Sequence, residues 1–158
     1  MTIPPAHARA RRNPADGQPP VRRAAFAVAV TFLIVGLLGF VPGVTSNFAD
    51  LRIGGHQSGA RLFGVVTVSV LHNLLHLAFG VLGVVAARRV TAARAFLVGG
   101  GATYLVLWLY GLAVDHGSGA NFLPLNGGGD WLHLALGTGM LGLGALTSGR
   151  ARGGRMAP

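Results

Sequence analysis

Cysteine, lysine and glutamate are all absent from this chain of 158 residues. Without cysteine there is no disulfide, no thiolate metal site and no thiol catalysis, and redox compartment leaves no trace in the sequence. Without lysine, the net charge of +9 comes from 13 arginines against four aspartates. Without glutamate, the spacing His72-x-x-x-His76 cannot serve as a zincin protease motif, because the general base between the histidines is missing. Charged residues of all kinds reach only 11%, where a soluble domain carries about 25%. Paired catalytic carboxylates, a nucleophile–base pair and a phosphate-binding glycine loop before a helix are also missing.

Hydrophobic residues fill the space, at 51% of the chain, and they fall into four runs: Ala24–Val41, Leu62–Ala87, Ala95–Val114 and Trp131–Thr147. A helix needs roughly 20 apolar residues to cross the hydrocarbon core of a bilayer. The 26 glycines would be costly in water-exposed helices, whereas small residues let membrane helices pack closely. The expected fold is therefore all-α, an integral membrane bundle of four transmembrane helices spanning 24–147. An Arg/Pro-rich disordered tail precedes it at 1–23, and a short basic tail follows at 148–158. The first run is too long for a signal-peptide core and lacks a clean cleavage site, so it reads as an uncleaved helix. The second run exceeds one straight crossing. Its first turns, Leu62 to Val70, are expected to tilt, protrude or lie at the interface.

Eleven of the 13 arginines lie in the N-terminal tail, the connection around Arg88, Arg89 and Arg94, and the C-terminal tail. The positive-inside rule then puts both termini in the cytoplasm and turns the connections 42–61 and 115–130 outward. Tyr104, Trp108, Tyr110 and Trp131 would mark the outer interface. Topology thus explains the basic charge, and no nucleic-acid motif accompanies it. The partner implied is the lipid bilayer. Small-residue faces, such as Ala135 and Gly139 on the fourth helix, would serve packing or a homo-oligomer. Gly39 to Gly43, beside Pro42, reads as a helix stop.

The second and fourth runs share the string [Asn/Asp]-x-Leu-His-Leu-Ala-x-Gly, at Asn73–Gly80 and Asp130–Gly137. Asn47-Phe48 and Asn121-Phe122 give a fainter echo after the odd-numbered helices. The chain reads as two parallel-repeat helical hairpins, and some membrane proteins place a site at such an axis. His72 and His76 share a helix face, and Asp130 lies one turn from His133. The polar cluster His72, Asn73, His76, Asp130 and His133 is the candidate site, since ionisable residues in membrane helices usually face the bundle interior. The structural reading is that these groups hydrogen-bond between helices and that Asp130 caps the fourth helix. The cofactor reading makes His76 and His133 paired haem ligands, or His72, His76 and His133 ligands of a transition metal, with Asp130 or Asn73 orienting a ring. A third reading is a proton relay or small permease. His56 and His116, in the outer connections, carry no assigned role.

The strings Ser69-Val70-Leu71-His72-Asn73-Leu74-Leu75-His76-Leu77, Ala120-Asn121-Phe122-Leu123-Pro124-Leu125-Asn126 and Asp130-Trp131-Leu132-His133-Leu134 resemble a bacterial membrane family catalogued as domain of unknown function 4383. The resemblance runs from about Phe26 to Leu146. It implies a small four-helix protein of the bacterial inner (plasma) membrane, with no assigned activity and no catalytic residues to carry over. The functional expectation is a structural or accessory membrane component, more a non-enzyme than an enzyme.

Overall fold

A computed structural model of the chain describes residues 19–148. The two expected tails lie almost wholly outside that range. Four helices carry the fold: α1 (Pro20–Leu38), α2 (Val70–Ala86), α3 (Val90–Ala113) and α4 (Gly127–Ser148). Pro20 opens α1, where its missing N–H is no loss, so the helix takes in Arg22 and Arg23 from the expected tail. α3 likewise starts five residues before the apolar run and takes in Arg94. α1 and α3 are long and apolar enough to cross a membrane, with mean hydropathy of 2.0 and 1.6 over their most apolar stretches.

The expected helical start at Leu62–Val70 is a correction. This stretch joins a three-stranded antiparallel sheet, β1 (Thr45–Ser46), β2 (Arg61–Leu62) and β3 (Val66–Thr67), in that order. Leu62 pairs with both Thr45 and Val66. The residues explain the switch. Val65, Val66, Thr67 and Val68 are β-branched and favour a pleated surface. Phe63 and Gly64 both adopt left-handed backbone at φ 50 and 73, which turns β2 back onto β3. Only at Ser69 does a helix begin, where the hydroxyl accepts the His72 N–H at 3.1 Å.

The sheet and the 114–126 connection form a cap over one end of the bundle. The three-residue turn between α2 and α3 closes the other end, and the Arg22 Nε there donates to the Ala87 carbonyl at 2.8 Å. Asn126 ties the cap to α4. Its Oδ1 accepts from Gly129 N–H at 3.0 Å and Thr67 N–H at 3.2 Å, and its Nδ2 donates to the Val65 carbonyl at 2.9 Å. Asn126, not Asp130, is therefore the N-cap of α4, because the helix starts at Gly127 and not after the glycine triplet.

α1 packs on α2, and α3 on α4, through equivalent close approaches. A Cβ on Gly80 would meet the Leu33 side chain at 2.7 Å, and one on Gly137 would meet Leu105 at 2.7 Å. Gly101 and Gly137 bring the α3 and α4 backbones together. The expected packing pair Ala135 and Gly139 does not pack within the bundle. Both are exposed, and a Cβ on Gly139 meets nothing within 4 Å.

Candidate functional site: three histidines under the cap

The inward face of α2 carries His72, Asn73, His76, Gly80 and Gly83, all buried. α4 contributes buried Asp130 and His133, and α3 contributes buried Tyr104. All five residues of the expected cluster are thus inside, yet the fold brings only the histidines together. The His72 and His76 rings lie 4.5 Å apart, and the His72 and His133 rings 6.3 Å apart. His72 sits between the other two. A cavity of about 40 Å³ opens among the three rings, with Tyr104 on one side and Leu123 and Leu125 of the cap above.

Asn73 faces elsewhere. Its carboxamide lies against Gly39 of α1, where a Cβ would come within 2.2 Å of the Oδ1. Gly39 therefore does more than stop a helix, because only glycine admits the amide. Neither polar atom of that amide has a hydrogen-bond partner. Asp130 turns to His116, whose Nε2 lies 3.2 Å from Asp130 Oδ2 and 3.0 Å from the Gly111 carbonyl. Both neighbours are acceptors, so this nitrogen carries the proton. The Asp130 Oδ1 is left unpaired above Gly111. Neither Asn73 nor Asp130 orients a ring of the three clustered histidines, since Asp130 holds His116 instead, which corrects the supporting roles expected for them. His116 lies in a connection, and nothing in its local sequence marks it as the partner of a residue 14 positions on.

The repeat in the sequence is also a repeat in space. The Phe32 and His76 rings are 5.5 Å apart, as are the Tyr104 and His133 rings, and Phe32 stacks on Tyr104 at 5.3 Å where the two halves meet. Gly39 receives Asn73 as Gly111 receives Asp130. Tyr104 is thus a core residue at the junction and not an interface marker. Trp131 is 70% exposed, and Tyr110 donates its hydroxyl proton to the Ala120 carbonyl in the cap. The echo at Asn47 and Asn121 does not extend to their hydrogen-bond partners. Asn121 binds the His116 and Leu125 carbonyls and the Leu125 N–H, while Asn47 reaches only the Gly59 carbonyl.

Among the described residues no hydrogen bond from another helix reaches these histidines, and His72 has only the Leu123 backbone of the cap beside it. The Nδ1 atoms of His72, His76 and His133 are buried without a partner, and the rings pack against one another, Phe32 and Tyr104. An unsatisfied buried polar atom costs roughly 1–3 kcal/mol, so three in one place call for a bound group or water. Haem does not fit. Pockets for organic ligands of that scale measure about 300–1,000 Å³, far above the 40 Å³ here. His133 also has His72 as its near imidazole rather than its repeat mate His76. Beneath His76 the packing is apolar, through Phe32, Phe79 and Phe96 to Ala93 and Leu97.

A model of the family described as Domain of unknown function (DUF4383) matches residues 22–146. No curated protein matches the chain, and no solved structure does.

Proposed function

The chain belongs to that family, DUF4383, a domain of unknown function, and from this premise we propose a four-pass protein of the bacterial plasma membrane that holds a small histidine site and conducts nothing. Both termini lie in the cytoplasm, the cap faces outward, and the role is that of an accessory membrane component. Helix length supports four crossings. At 1.5 Å per residue, the 22 residues of α4 reach about 33 Å and the 17 of α2 about 26 Å. Those lengths bracket a hydrocarbon core of about 30 Å. Charge supports the sidedness, since Arg22, Arg23, Arg88, Arg89 and Arg94 gather at the turn end. The exposed Ala135–Gly139 face of α4 favours lateral contact with a second copy.

One observation carries the non-conducting reading. Every buried polar side chain among the described residues belongs to the cap or the cap half of the bundle, from Thr45 to His133. The half towards the turn is filled by Val21, Ala25, Phe96, Leu97 and their neighbours. A proton or solute entering past the histidines meets aromatic rings and then aliphatic packing, with no group to carry it on. The test is proton flux in vesicles reconstituted with the full chain and a trapped pH-sensitive dye. Leakage equal to protein-free vesicles is expected. Flux that depends on the protein and disappears in His76→Gln would establish the permease instead.

A further inference from the structure

We infer that His72 and His76, with His133 as a third donor, bind a late first-row transition-metal ion beneath the cap. Three observations converge. First, His72 departs from the repeat. His76 has its mate in His133 and Asn73 has its mate in Asp130, but the position matching His72 is Gly129. A residue needed only for packing two equivalent hairpins would be expected in both. The extra imidazole stands one helical turn from His76, with ring centroids 4.5 Å apart. Two histidines so spaced on one helix face form a two-point chelate.

Second, the rings await a partner. The unpaired Nδ1 atoms belong to all three histidines. A half-turn of an imidazole about its Cβ–Cγ bond exchanges Nδ1 with a ring carbon, so the nitrogens can be turned to the cavity without moving a helix. Among the described residues, no set of three acidic, cysteine or histidine side chains already stands in metal-ligating positions. The His133 ring lies 6.3 Å from that of His72, farther than the His76 ring at 4.5 Å. The α2 pair is the closer part of the set, and His133 joins it when the rings rotate.

Third, size and donor chemistry select the ligand. About 40 Å³ admits an ion or one or two waters and no organic molecule. The polar lining is imidazole and one phenol, with no carboxylate, because Asp130 is turned to His116. Imidazole nitrogen suits zinc, copper, iron and nickel, whereas magnesium and calcium require several oxygen donors.

This inference rests on reading the pocket as a site but not on the number of crossings, so its failure and that of the topology are separate results. The experiment uses the full chain, purified in mild detergent without a histidine tag, stripped with chelator and then given Zn²⁺ alone or Cu⁺ alone. Retention of about one equivalent is expected, with affinity at least about tenfold weaker in His72→Gln and in His76→Gln. His7→Ala/His56→Ala should bind like the parent. X-ray absorption of the loaded parent needs no variant and should show at least two imidazole rings on the metal. A folded parent that retains neither ion leaves the cavity to water and overturns the inference. Binding undiminished in His72→Gln/His76→Gln, or an absorption spectrum without imidazole, overturns it as well.

Discussion

Asn126 and Asn73 show how differently two buried or half-buried amides can be placed. Asn126 uses its oxygen twice and its nitrogen once, joining the sheet to the start of α4. Its replacement by alanine removes a helix cap and two cross-links, at a cost of roughly 2–3 kcal/mol. Thermal unfolding of Asn126→Ala in detergent should show that loss. Asn73 is fully buried and its amide makes no hydrogen bond. Asn73→Leu keeps the branched shape and removes the unpaired polar atoms, so stability should rise by up to about 1–3 kcal/mol less what the bulkier leucine costs against Gly39; a fall well beyond that packing cost would mean that the amide has a water or ligand partner. The histidines were legible as single residues, because polar side chains in apolar runs stand out. Their environment was not. That Asp130 binds His116 over Gly111, and that Asn73 lies on Gly39, depend on helix crossings that no local pattern records.

At the scale of elements, glycine position decides how close the helices come. A Cβ on Gly137 would lie 2.8 Å from Leu105 Cγ and 3.0 Å from the Gly101 carbonyl, part of the facing backbone. Gly137→Ala must push α3 and α4 apart, and a loss of about 1–3 kcal/mol is expected. Gly139, two residues on, faces open space. Gly139→Ala should leave the monomer's stability unchanged or raise it by up to about 1 kcal/mol through helix propensity. Comparing the two melting temperatures checks the crossing. Hydropathy made the four helices readable, but it could not separate the Gly137 face from the Ala135–Gly139 face, since both are small and apolar. It also merged β2, β3 and α2 into one run. Hydropathy is blind to the change of period from strand to helix, and the signals lay in the β-branched residues and in Ser69.

At the scale of the whole molecule, the chain is two similar hairpins meeting at Phe32 and Tyr104, polar under the cap and apolar towards the turn. The repeated Leu-His-Leu-Ala string announced the even helices. The matching of Leu33 with Leu105 and of Gly39 with Gly111 appears only in the packing, because the odd helices share too few identities to stand out in an apolar background. Two asymmetries break the repeat: His72 without a counterpart, and His116 bound to one acid.

The most direct measurement is thiol labelling of single-cysteine variants by a membrane-impermeant maleimide in spheroplasts, where the cysteine-free chain leaves each introduced thiol alone. Gln57→Cys and Gly119→Cys lie in the cap connections, and Thr91→Cys lies at the turn end. Labelling of the first two without permeabilisation is expected, with Thr91→Cys and the tail variants Thr2→Cys and Ala157→Cys reacting only after it. Protection of Gln57→Cys and Gly119→Cys, or labelling of Thr91→Cys from outside, would contradict four crossings with both termini in the cytoplasm.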